Sequence, residues 1–159
     1  MRPAWWYKLR PMMRARVVGR SMEPTLADGQ PVWVSGWPLW CRSPRRGELV
    51  VVRVADTQDH ARLDVKRIVG LPGDEIRWQG GRVRVDGRAL DEPYATIAAG
   101  APGDDETGVR LSVGQYFVAG DNRLYSVDSR RYGPIDRSQL VGVVLIARAR
   151  MRAPTRPRV

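Results

Sequence analysis

The sequence predicts a mainly β domain of short antiparallel strands joined by long loops, on three observations. Short β-branched runs recur along the chain, glycine, proline and aspartate punctuate them, and no segment sustains a 3.6-residue helical period.

Taken in order, residues 1–16 (MRPAWWYKLRPMMRAR) mix bulky aromatics with arginines, Pro3 and Pro11 and keep neither a helical nor an alternating period. They are expected to form a basic aromatic tail. Strands are then expected at Arg16–Val18, Pro31–Val34, Glu48–Val54, Leu63–Val69, Glu75–Trp78, Arg82–Val85, Gln115–Ala119 and Leu140–Ala147. The stretch IRWQGGRVRVDG reads as a hairpin, because Gly80 and Gly81 supply the turn while Val83 and Val85 alternate with Arg82 and Arg84. Residues 91–110 are rich in Ala, Gly, Pro and acid and hold no period, so a long surface loop is expected there. Residues 151–159 are expected to be a disordered tail, which leaves one β domain over residues 17–150.

A chain of 159 residues, 43% apolar, fits one globular domain. The longest apolar stretch, Leu140–Ala147, is far short of the ~20 residues that cross a bilayer. No apolar run opens the chain, so neither a transmembrane helix nor a cleavable signal peptide is expected. Cys41 is the only cysteine and His60 the only histidine, which excludes an intramolecular disulfide and a Cys/His metal cage. No cofactor or metal is expected, although a carboxylate-only metal site stays open. The net charge of +10 favours an anionic partner, either nucleic acid or a membrane surface, and charge alone does not choose between them.

The kind of cation is more informative than the number. Only Lys8 and Lys66 are lysines; the other 25 basic residues are arginine. Arginine keeps its proton under nearly all conditions, whereas a buried lysine can lose it and act as a base. Lys66 sits among Val65, Ile68 and Val69 in LDVKRIVG, where desolvation disfavours the ammonium. On composition alone it reads equally as a survivor of a bias toward arginine. A Ser-His-Asp triad would have to use His60, which lies in the polar stretch ADTQDHARLD, so Lys66 is the better candidate base for a serine nucleophile. The candidate serine is Ser21 in VVGRSMEPTLADG, where a β-branched run ends and a turn begins. There its hydroxyl can enter a cleft while its own N–H faces a developing oxyanion. A plain turn cap fits the same five residues, SMEPT.

Three segments in order, GRSMEPTL, VKRIVGLPGDEI and GDNRLYSVDSRRYGPI, closely resemble the sequence boxes of type I signal peptidases, which are serine endopeptidases with a Ser/Lys dyad. RRGELVVVR and GGRVRVDGRALDEPY resemble the connecting segments, so the likeness runs from about Val17 to Val144. The resemblance implies a signal-peptidase-like catalytic domain over residues 17–150, with Ser21 as nucleophile and Lys66 as general base. Met22, Pro24 and Thr25 match the rest of the nucleophile box, Met22 and Pro24 being expected to contact substrate. Gly19 falls beside the oxyanion position, where some members carry a serine; a glycine has no hydroxyl, so the Ser21 N–H is expected to be the main donor. Ser126 matches a serine that hydrogen-bonds the lysine, and Asp121, Asp128, Arg67 and Arg130 match residues that brace the site.

The expected reaction is cleavage of a leader or signal peptide after small residues, in an Ala-x-Ala-like pattern, with the precursor polypeptide bound as an extended strand. The expected place is the cytoplasmic membrane surface on its extracytoplasmic side. Since no anchor or signal peptide is expected, the alternative is a cytoplasmic, soluble leader-trimming protease of the nickel superoxide dismutase type. Trp5, Trp6 and Tyr7 with neighbouring cations suit an anionic membrane surface, and Trp33, Trp37 and Trp40 form a second cluster that suits either that surface or a core under a loop. From another class, a non-catalytic basic β-domain would bind nucleic acid, but the arginines are dispersed and no helix-turn-helix or stacking signature occurs, so nucleic acid is not expected as a partner.

Overall fold

The computed structural model describes residues 12–55, 61–97 and 107–145. Eleven strands form two antiparallel sheets. The large sheet contains β1 (Met13–Arg16), β2 (Pro31–Ser35), β3 (Leu49–Ala55), β4 (Ala61–Gly70), β9 (Gln115–Ala119), β10 (Ile135–Asp136) and β11 (Leu140–Leu145), in the order β1-β2-β11-β3-β4-β9-β10. The small sheet contains β5 (Glu75–Gln79), β6 (Arg82–Val85), β7 (Arg88–Ala89) and β8 (Thr107–Arg110), in the order β7-β6-β5-β8. Two short helices, α1 (Trp37–Cys41) and α2 (Ser129–Tyr132), lie in the connections.

The run LVVVRV of β3 explains why this strand lies inside the sheet. Leu49 and Val51 face one apolar cluster, with Met22, Leu26, Val32 and Val34; Val50, Val52 and Val54 face another, with Ile68, Val118 and Ile135. A strand buried on both faces shows no polar alternation. β4 pairs with β3 so that Lys66 lies opposite Val50 and Asp64 opposite Val52, while Arg67 lies opposite Leu49. Period-two geometry therefore places Asp64 and Lys66 on one face and Arg67 on the other. β9 pairs with β4 only from Arg67 onward, and the register slips between Ile68 and Gly70. The β9-side edge of β4 ahead of Arg67 thus has no strand partner among the described residues.

The small sheet packs against the large one through Val69, Ile76, Trp78, Val83, Leu111 and Phe117, with the Trp78 and Phe117 rings 5.0 Å apart between centroids. The expected hairpin is present as β5 and β6, with Gln79 opposite Arg82 and positive φ at Gly80 and Gly81. Two expectations are corrected. Met13–Arg16 is not tail but edge strand β1, paired with Pro31–Val34, so the strand expected at Arg16–Val18 begins three residues earlier and ends at Arg16; Arg14, Ala15 and Arg16 are all exposed, so no apolar alternation marks it. The expected loop over 91–110 ends in β8, which pairs with β5, and Thr96 bridges to Asn122. The expected tail at 151–159 and Trp5, Trp6, Tyr7 and His60 lie outside the described residues.

Candidate active site

Ser21 occupies the turn that follows β1, and its carbonyl accepts the Asn122 amide at 3.0 Å, which ties the turn to the loop after β9. Lys66, on β4 and only 3% exposed, donates from Nζ to Ser21 Oγ at 3.1 Å. Burial holds the Lys66 amine below the ordinary lysine range, against the opposing pull of Asp64 and Asp128. A buried amine with a depressed pKa, in hydrogen-bond reach of a serine hydroxyl, is the arrangement nucleophilic activation requires.

The Ser21 amide makes no backbone hydrogen bond among the described residues. Gly19, expected beside it, gives its amide to Asp28 Oδ1 at 2.8 Å and has φ +87°. A serine in that conformation would be strained, which accounts for glycine here. Met22, expected at the substrate, is 1% exposed and packs in a core cluster, and Pro24 is exposed.

Two buried arginine–carboxylate forks brace the site. Arg67 grips Asp121 at 2.8 and 2.6 Å and bonds the Gly47 carbonyl, while Thr25 donates its hydroxyl to the same carboxylate. The Tyr94 ring covers the Arg67 guanidinium at 3.9 Å. Arg130 grips Asp128 at 2.8 Å through two nitrogens, and Asp128 also accepts the Gly120 amide at 2.9 Å. Burial pushes the Asp128 carboxyl up, but the Arg130 fork and the amide outweigh it and hold the carboxyl below its usual range. Ser126 is brought against Gly120 beside Ser21, and its buried Oγ faces the Asp128 carboxylate without bonding Lys66, the partner the resemblance implies.

The sequence match decides the family. The family described as "Signal peptidase, peptidase S26" matches residues 7–148. The chain belongs to this family. Similar proteins include Signal peptidase I V of Bacillus subtilis (strain 168), 36% identical over 81% of this chain and 81% of that one. Probable signal peptidase I-2 of Synechocystis is 41% identical over 77% of this chain and 56% of the relative, and Signal peptidase IB of Staphylococcus aureus is 34% identical over 80% and 73%. A crystal structure of a signal peptidase I from Enterococcus faecalis V583 shares the fold, with a TM-score of 0.51 at 23% identity, covering 64% of this chain and 97% of that one. The S26 chain is therefore a serine endopeptidase of signal-peptidase type, acting on polypeptides.

Sequence reasoning missed two residues of this S26 site. Arg123, completely buried, bonds Gly120 O at 2.9 Å, Gly81 O at 2.6 Å and the Glu92 carboxylate, so it pins the small sheet's hairpin turn to the catalytic loop. Its place in GDNR was visible; its burial was not. Asp64 lies 3.7 Å from Lys66 Nζ, and the alternation of a strand would have placed it on the lysine's face. Among the described residues no cluster of three His, Cys, Asp or Glu could hold a metal, and no helix is long and apolar enough to cross a membrane.

Proposed function

We propose that this signal peptidase cleaves precursor polypeptides after small residues through a Ser21/Lys66 dyad. The observation that carries the reading is the 3.1 Å bond between a buried lysine and the Ser21 hydroxyl. The substrate runs as an extended strand along the unpaired edge of β4 around Asp64–Lys66, which supplies main-chain partners without selecting side chains. Ser21 Oγ attacks the scissile carbonyl while its proton passes to Lys66 Nζ, and the Ser21 amide receives the oxyanion. The Lys66 ammonium returns the proton to the departing amine, which leaves an acyl-Ser21 ester. Lys66 then takes a proton from water, whose oxygen attacks the ester; the intermediate collapses with the proton passing from Lys66 Nζ back to Ser21 Oγ, which releases the carboxyl product and restores the dyad.

An anionic membrane surface is the proposed second partner. Trp33 and Trp37 are 41% and 67% exposed, and Trp33 lies in one cross-strand row between Arg14 and Leu145. An exposed row of cation, tryptophan and leucine suits the headgroup boundary. Of the two readings open for this cluster, the exposure of Trp33 and Trp37 favours the surface over the core.

The test is hydrolysis of an Ala-x-Ala peptide by purified wild type and Ser21→Ala. Loss of the attacking oxygen is expected to reduce turnover by about 10⁴-fold or more with the melting temperature unchanged. Near-wild-type cleavage would refute the dyad.

A further inference from the structure

In a nucleophile–base pair the base is commonly oriented by a third group, which also carries the charge the base acquires. Ser126, the residue the resemblance nominates, makes no bond to Lys66. Another group is in place. Asp64 lies two residues before Lys66 on β4, so both side chains emerge on one face, and Asp64 Oδ2 is 3.7 Å from Lys66 Nζ. Asp64 is itself held by Arg62, which forks its two carboxylate oxygens at 2.8 and 2.9 Å. The three residues thus form a graded row: Arg62 half exposed, Asp64 nearly buried, Lys66 buried.

We infer that Asp64 is the third member of the site, a positioning residue that tethers Lys66, stabilises the ammonium formed when Ser21 attacks, and sets the acid side of the enzyme's working pH range. The inference rests on the dyad reading. Among the described residues the charged groups that act on Lys66 are Asp64 and Arg62 from β4 and Asp128 from the loop after β9; the nucleophile turn adds the Ser21 hydroxyl, and β3 sets Val50 opposite. Asp128 is held by the Arg130 fork inside the protein, whereas the partner of Asp64 lies at the water boundary, where solvent weakens its charge. Asp64 is therefore the stronger of the two carboxylates that act on Lys66, ahead of Asp128, and burial of the amine is what both work against.

The consequence is a trade. A carboxylate beside the base keeps more of it protonated at rest, which costs activity in acid, and stabilises the ammonium in the transition state, which supports the plateau. Arg62 moderates both effects.

Two substitutions separate this role from a structural one. In Asp64→Asn, of nearly the same shape, the acid limb of kcat/KM is expected to move down by about one pH unit, and the plateau to fall by up to about tenfold. In Arg62→Gln the limb is expected to move up by a smaller amount, because Asp64 acts on Lys66 with less competition. Opposite shifts cannot come from general loosening, which would lower the plateau and leave the limb in place. Lys8 and Lys66 are the only lysines, so carbon-13 labelling of lysine in the full-length chain, with Lys8→Arg for assignment, reads the Lys66 midpoint without activity. Opposite displacement of that midpoint in the two variants supports the inference; an unmoved midpoint in Asp64→Asn overturns it. A midpoint that moves while the rate limb stays would instead remove Lys66 from the role of base, so failure of the tether and failure of the dyad give different results.

Discussion

Lys66 carries its positive charge at a cost, since burial holds its amine below the ordinary lysine range despite the carboxylates nearby. The sign of the pH dependence follows. Below the lowered pKa the base is protonated and idle, so kcat/KM should climb with pH through that value and level off before the range of a free lysine. Lys66→Arg should be as damaging as Lys66→Ala, each lowering turnover by about 10³-fold or more, because arginine keeps the charge but cannot surrender a proton. Steady-state kinetics of the two variants decide the matter, and substantial activity in Lys66→Arg would make the lysine structural. Neighbouring Arg67 shows how strand alternation divides labour: one residue along, it faces the other way and locks Asp121 and Thr25.

At the scale of elements, the site depends on how closely the nucleophile turn and the loop after β9 approach. Gly120 is the point of contact. A Cβ there would lie against the Ser126 side chain and 2.6 Å from the Ser21 carbonyl oxygen, a backbone atom already bonded to Asn122. Gly120→Ala is therefore expected to force apart the loop after β9 and the nucleophile turn. A displacement on the order of 1 Å costs about 10²-fold in rate, and the overpacked contact costs about 1–3 kcal/mol in stability. Peptide hydrolysis and thermal unfolding of the variant check both, and wild-type kinetics would show that the loop accommodates a methyl group. The same loop explains why Arg123 escaped sequence reasoning: its partners, Gly81 and Glu92, are 42 and 31 residues away.

For the whole molecule, the question is where the charged and aromatic surfaces face. Trp33, Arg14 and Leu145 lie on strands at one end of the large sheet, while β4 and the site residues lie further across it. Membrane contact and peptide chemistry should therefore separate. Trp33→Ser combined with Trp37→Ser should reduce co-sedimentation with anionic vesicles by about tenfold or more, as each buried aromatic is worth about 1.5–3 kcal/mol. Hydrolysis of a short soluble peptide should be unchanged, and added salt should weaken vesicle binding of the wild type. Equal co-sedimentation of the variant and wild type would remove the tryptophans from any membrane surface.

The sequence by itself determined the β class, because runs such as LVVVRV are compatible with a strand buried on both faces and GG between alternating valines specifies a tight turn. It also determined the family, since three ordered boxes survive without any knowledge of contacts. Only the tertiary structure decided which side chains meet. The four-residue strand Met13–Arg16 has no local signal and exists because Pro31–Val34 offers it a partner; Met22 is buried in a core cluster, which its box alone did not reveal. Asp64 came to lie beside Lys66, and the Ser126 hydroxyl came to lie off it, through distances of a few ångströms. Periodicity records which face a residue takes, whereas hydrogen bonding and desolvation depend on what the rest of the chain places opposite that face.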